Sequence, residues 1–179
     1  MAKAAKAAAT AAANAAVNAA ANAAAEAASS LPANVRDGVR VTLAFLFLLY
    51  LFLFAQATMK RKLRAHHKAQ GKKFDRYFSR DRKMLGWDRT VGNMLEQAIP
   101  FLTLFWLGIW LSLYGGLPHS YVAAAGWAYV ALRSIYPVLW FSGGGGLDGT
   151  SPVIWRVTIP MYAIVVTLAI NALVVICSV

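Results

Sequence analysis

The sequence predicts an all-α integral membrane protein, a four-transmembrane-helix bundle preceded by an extra N-terminal alanine-rich helix. Composition is the first reason. Hydrophobic residues make up 59% of the 179-residue chain and charged residues 14%, against about 45–50% and about 25% in ordinary soluble domains; mean hydropathy is +0.52. The second reason is four long apolar runs, and the third is the placement of charge. Of 18 Lys and Arg, four precede the first run, twelve fall between Lys60 and Arg89, and only Arg133 and Arg156 follow. A water-soluble enzyme is all but excluded, and with the net charge of +11 concentrated in one segment no nucleic-acid partner is needed to explain it.

Residues 1–33 form an alanine-rich extension. Alanine is the strongest helix former, and Asn14, Asn18, Asn22 and Glu26 recur every four residues, drawing a polar stripe down a methyl-covered rod. The spacing predicts a helix from about Ala4 to Ala28, broken by Ser29, Ser30 and Pro32. An organellar targeting peptide is disfavoured because the segment lacks arginine and has little serine. A helix with so little apolar bulk favours a partner protein that holds it in place.

The membrane domain is 34–179. Its first span, Val41–Thr58, is free of charge over about the minimum length that crosses a bilayer. The connector 59–90 carries twelve Lys and Arg against three Asp, so the positive-inside rule puts it on the cytoplasmic or matrix-equivalent side, with both termini opposite. Arg36 and Arg40 pull the other way and are outnumbered. Lys60, Arg61, Lys62 and Arg64, beside a membrane, attract anionic lipid at about 1 kcal/mol each. The second span covers about 91–114. Gly115-Gly116-Leu117-Pro118 signals a turn, the third span covers about 120–141, and the fourth, about 153–178, follows a connector with four consecutive glycines.

Trp87, Trp140 and Trp155 fall near span ends, where indole rings prefer the headgroup level; Trp106, Trp110 and Trp127 are deeper and are expected to pack between helices. His66 and His67 are adjacent and cannot share a metal on a helix, so they are expected to be solvated. A single cysteine, Cys177, leaves no intrachain disulfide, and the sequence carries no metal or redox motif.

Ionisable residues inside spans are costly and are candidate functional residues. Arg89, Asn93, Glu96 and Pro100 stand at i, i+4, i+7 and i+11 and share one helical face; Arg133, Tyr136 and Trp140 stand at i, i+3 and i+7 and share another. At 1.5 Å per residue, Glu96 and Arg133 each lie roughly 10 Å inside the basic-loop boundary, and Arg156 belongs to the same side. One reading is a positively charged pocket for a small anionic or zwitterionic molecule. The other is that Glu96 neutralises Arg133 or Arg89 while Asn93 bonds helix to helix.

The stretch Arg89-x3-Asn93-x2-Glu96-x3-Pro100-Phe101, followed by Ala131-x-Arg133-x2-Tyr136, resembles the MAPEG family, the membrane-associated proteins of eicosanoid and glutathione metabolism. The resemblance covers about 82–179. It implies a homotrimer with glutathione as co-substrate, no metal, and glutathione bound between protomers on the side of the first loop. Arg89, Asn93, Glu96, Arg133 and Tyr136 would be the glutathione contacts, with Arg156 a further candidate. The chain departs from many members at Trp140, where they carry tyrosine, at Gln97, where several carry an aromatic, and in the GGGGLDG stretch, where they carry an arginine. The thiol-activating arginine of the first loop is not identified among the twelve basic residues.

Two functions are expected from different classes. One is a glutathione transferase or peroxidase acting on lipophilic electrophiles or lipid hydroperoxides. The other is a non-catalytic accessory subunit of a large organellar assembly, such as a mitochondrial respiratory complex, docked through the N-terminal helix. A weaker third reading is an anionic-lipid-binding protein. The expected location is an organellar membrane, mitochondrial or endoplasmic reticulum.

Overall fold

The computed structural model describes residues 2–75, 81–142 and 152–178. Five helices follow in chain order: α1 (Ala2–Ser30), α2 (Ala33–Ala69), α3 (Arg82–Leu111), α4 (His119–Ser142) and α5 (Pro152–Cys177). The chain divides into two compact units, residues 1–36 and 37–179. α1 is one uninterrupted helix with exposed side chains from Ala9 to Glu26, slightly longer than its composition predicts. Four helices, α2 to α5, are long and apolar enough to cross a membrane.

The segment expected to be a loop over 59–90 is largely helical. α2 runs eleven residues past Thr58, because Met59–Ala69 contains neither glycine nor proline and is rich in Lys, Arg, Leu and Ala, all good helix formers. It stops at Gly71, which has φ 68°. Lys72 N–H donates to His67 O at 2.9 Å and Gly71 N–H to Lys68 O at 3.0 Å, the paired closure that needs a left-handed residue at this position. α3 begins at Arg82, nine residues before the expected span. Its N-cap is Asp81, whose carboxylate accepts from Lys83 N at 2.9 Å and Met84 N at 3.0 Å, satisfying two of the amides a helix start leaves unpaired.

α3, α4 and α5 pack closely on one another, whereas α2 joins them through large side chains. Phe45 on α2 meets Phe101 on α3 at 5.4 Å and Tyr129 on α4 at 6.4 Å, and Phe101 stacks on Tyr129 at 3.8 Å. Glycines allow the closest crossings, as small residues do in membrane helices. A Cβ on Gly126 would lie 2.6 Å from Phe105 Cε2 and 2.8 Å from Val41 Cγ1. The turn between α3 and α4 closes through Gly115, φ 88°, with Gly116 N–H donating to Leu111 O at 3.0 Å. Asn171 of α5, buried, accepts Leu117 N–H at 2.8 Å and so ties that turn to the last helix.

The tryptophans divide differently from expectation. Trp106 packs on Gly38 and donates to Thr42 Oγ1 at 3.0 Å, between α3 and α2. Trp110 and Trp127 instead face outward, at 56% and 46% exposure. The inner face at those levels is taken by Phe105, Gly108 and Ile109 on α3 and by Gly126 and Tyr129 on α4, and a neighbour one residue away points about 100° around the helix. Trp140, expected at headgroup level, is buried over Gly86, whose missing side chain makes room for the indole. Trp155 is exposed, while Trp87 is half-buried between Phe52 and Phe141. Of the two histidines His66 is exposed, but His67 is half-buried against Phe74 at 5.4 Å.

Gly126→Ala is expected to lower stability by about 1–3 kcal/mol through overpacking, read as a lower thermal unfolding midpoint in detergent. An unchanged midpoint would mean that α2 and α3 shift apart freely at this crossing.

Candidate functional site

The polar centre of the bundle is built on Arg133. It lies on the inner face of α4, one or two turns from Tyr129, Tyr136, Pro137 and Trp140, and only 3% of its surface is accessible. Its Nη2 donates to Asn93 O on α3 at 2.9 Å and to Tyr129 Oη at 3.2 Å. Asn93 Nδ2 in turn donates to Tyr136 Oη at 2.6 Å. The guanidinium lies over the Tyr129 ring at 5.5 Å and the Tyr136 ring at 6.0 Å, where the ring faces stabilise a cation.

These contacts leave two things undone. Arg133 Nε is buried without a hydrogen-bond partner, and no described carboxylate forms an ion pair with the guanidinium. A buried cation with no counterion costs several kcal/mol. The arrangement is therefore suited to receive an anion, whose carboxylate the planar guanidinium fork matches.

Of the five residues that the resemblance implies as glutathione contacts, Asn93, Arg133 and Tyr136 come together. Arg89 and Glu96 do not join them. Both are exposed, on the outer edge of α3, and among the described residues neither forms an ion pair. The alternative reading, neutralisation of Arg133 or Arg89 by Glu96, is not what the described residues show, because Thr90, Val91, Met94 and Phe101 hold the inward face of α3. The face shared by Arg89, Asn93 and Glu96 meets the bundle only at Asn93. Arg156 is also exposed, on α5.

Spacing alone missed Tyr129, although it stands one helical turn before Arg133 and was legible at i−4. It also missed a second polar cluster. Asp88 Oδ1 accepts from Gln56 Nε2 at 2.6 Å and from Lys60 Nζ at 2.8 Å, joining the upper part of α2 to the start of α3. Gln97 Nε2 donates to Tyr162 Oη at 3.3 Å, joining α3 to α5. No sequence signal marks these pairings, which depend on how two distant helices are rotated. Among the described residues no group of three His, Cys, Asp or Glu side chains could hold a metal ion.

The model of the MAPEG family matches residues 39–176, the whole of the bundle from the start of the first span to the end of α5. The chain belongs to the MAPEG family. It is thus an integral membrane protein, and α2 to α5 are the helices of a MAPEG membrane bundle. No curated protein and no solved structure matches the chain. The match begins after α1, so the alanine-rich helix lies outside the MAPEG region.

Asp88→Ala is expected to cost about 1 kcal/mol, since it leaves Lys60 and Gln56 without their acceptor at a partly exposed site. Asp88→Asn, which keeps the acceptor for Gln56 and loses the ion pair, should fall between. Thermal unfolding of the three proteins in one detergent measures the order.

Proposed function

We propose that this MAPEG protein is a glutathione-dependent transferase or peroxidase acting on lipophilic electrophiles or lipid hydroperoxides. The observation that carries this reading is Arg133, a buried guanidinium with no carboxylate to neutralise it. Glutathione supplies two carboxylates, an ammonium and a thiol. A carboxylate of the tripeptide would pair with the un-neutralised guanidinium, Asn93 and Tyr136 would stand beside it, and Arg89 and Glu96 would meet the remaining charged groups. Arg156 is a further candidate for the outer rim.

Exposure of Arg89 and Glu96 supports an interface between copies. In a homotrimer, an outward-facing pair at this depth gains neighbours from the adjacent protomer and is withdrawn from lipid, where unpaired charge is costly. The bound tripeptide would then touch two protomers. A cationic environment stabilises the thiolate over the thiol. In conjugation the thiolate attacks the electrophile's carbon and displaces its leaving group or opens its strained ring. In reduction it attacks the hydroperoxide's terminal oxygen, breaking the O–O bond to release the alcohol and a glutathione sulfenic acid that a second glutathione converts to the disulfide and water. Basic residues beyond the first span support a site on the cytoplasmic or matrix-equivalent side, and the membrane proposed is organellar, mitochondrial or endoplasmic reticulum.

A second reading, a non-catalytic accessory subunit of a larger membrane assembly such as a mitochondrial respiratory complex, is favoured by one specific observation. α1, a helix of 29 residues, belongs to the separate unit 1–36, lies outside the family region and is exposed along its described side chains. It has the form of a docking arm. Trp140, in place of a tyrosine seen in many members, and Gln97, in place of an aromatic, support the same reading.

Arg133→Ala is expected to weaken glutathione binding about 10- to 100-fold, the range for removing a charged hydrogen-bond donor, with the helix content and oligomer size unchanged. Calorimetric titration of the purified protein measures it, and undiminished affinity would sink the assignment of Arg133. For the second reading, deletion of residues 1–33 should release the chain from any larger particle in mild detergent extracts; retention would count against α1 as the docking element.

A further inference from the structure

A cationic cavity lies where the apolar stretch of α2 ends. It has a volume of about 440 Å³ and is lined by Ala57, Lys60, Arg61, Arg64 and Phe74. The first four stand at i, i+3, i+4 and i+7 and so form one face of the helix. Phe74 belongs to the short segment that turns back after Gly71, and it is held there by His67. None of Arg89, Asn93, Glu96, Arg133 or Tyr136 lines this cavity.

The charge in the cavity is of two kinds. Lys60 is engaged by Asp88 at 2.8 Å. Arg61 and Arg64 are exposed and form no ion pair among the described residues, so two guanidinium groups face the opening without neutralisation. Guanidinium forks bind phosphate oxygens in pairs. The volume falls within the range of small-molecule sites and exceeds what a bare phosphate fills. Ala57 and Phe74 give the cavity apolar edges. The first charged residue after the uncharged run Val41–Met59 is Lys60, so the cavity opens at the depth of lipid headgroups.

We propose that this cavity binds the phosphate of an anionic phospholipid headgroup, one per protomer, through Arg61 and Arg64. The lipid's glycerol and first acyl carbons lie along Ala57 and Phe74. The site is distinct from general attraction between a basic surface and an acidic bilayer, because it uses two particular arginines and leaves Lys62 and Lys68, which do not line it, outside. It does not depend on the glutathione reading.

The test uses the full-length protein in a neutral detergent, titrated separately with dioctanoyl phosphatidic acid, dioctanoyl phosphatidylcholine and inorganic phosphate, with bound species counted by native mass spectrometry. Phosphatidic acid should saturate at one per protomer and bind at least tenfold tighter than either other probe. Arg61→Gln with Arg64→Gln should weaken it at least tenfold, while Lys62→Gln with Lys68→Gln, which removes the same charge outside the cavity, should change it less than twofold. Phe74→Asp, which sets a carboxylate at the rim and spares both arginines, should also weaken it at least tenfold; circular dichroism confirms that each variant is folded. Equal weakening by the two lysine substitutions would overturn the site in favour of diffuse surface charge. Inorganic phosphate binding as tightly as the lipid would overturn the lipid assignment. Displacement of phosphatidic acid by reduced glutathione would overturn the independence of the two sites.

Discussion

An arginine enclosed in an apolar bundle sets the terms for everything near it. Arg133 brings a full positive charge among Tyr129, Tyr136 and Trp140, where water cannot solvate it, and the protein answers with a carbonyl, a phenol oxygen and two aromatic faces rather than with a carboxylate. Those partners are dipoles and quadrupoles, sufficient to hold the side chain in one geometry and insufficient to cancel its charge. Rigidity and residual charge together make a site. A neutralised arginine would be a structural strut; this one keeps its charge uncancelled by any described carboxylate.

Holding that geometry requires α3 and α4 to be fixed against each other, which the packing around the site accomplishes. Phe101, stacked on Tyr129, couples the ring that carries the phenol partner to the helix that carries Asn93. Phe45 closes the stack from α2. Gly86 and Gly126 admit Trp140 and Phe105 into positions that any side chain would occupy. Prolines 100, 137 and 160 stand inside α3, α4 and α5, each four residues after Glu96, Arg133 and Arg156. In each helix the missing proline amide frees the carbonyl of the ionisable residue itself, so backbone polarity and side-chain charge are concentrated at the same levels of the bundle.

The basic segment takes on a second significance once it is seen to be helical. A flexible loop would present its cations as an averaged cloud, whereas the extension of α2 lines up Lys60, Arg61 and Arg64 on one face and sorts them by partner. Asp88 removes Lys60 from the pool of available charge and at the same time anchors α2 to the start of α3. The same short stretch therefore fastens the bundle and leaves two arginines available to an anion.

Much of this was legible in the residues themselves. Bilayer thickness dictates span length, so long apolar runs and glycine-rich punctuation were enough to place four membrane helices, and the residues of two motifs, Arg89 to Phe101 and Ala131 to Tyr136, carried the resemblance to the family. The extension of α2 past Thr58 was misread because a high density of charge resembles a solvated loop, although helix propensity over Met59–Ala69 argues otherwise. Periodicity names the residues on a face and is silent about which way the face turns. Only tertiary packing decided that Arg133 and Tyr136 point inward, that Arg89, Glu96 and Arg156 stay outside, that Trp110 and Trp127 leave the core, and that Asp88 reaches across to Gln56 and Lys60. The physical reason is that a helix's rotation about its own axis is set by the sum of its contacts with other helices, none of which is local in sequence.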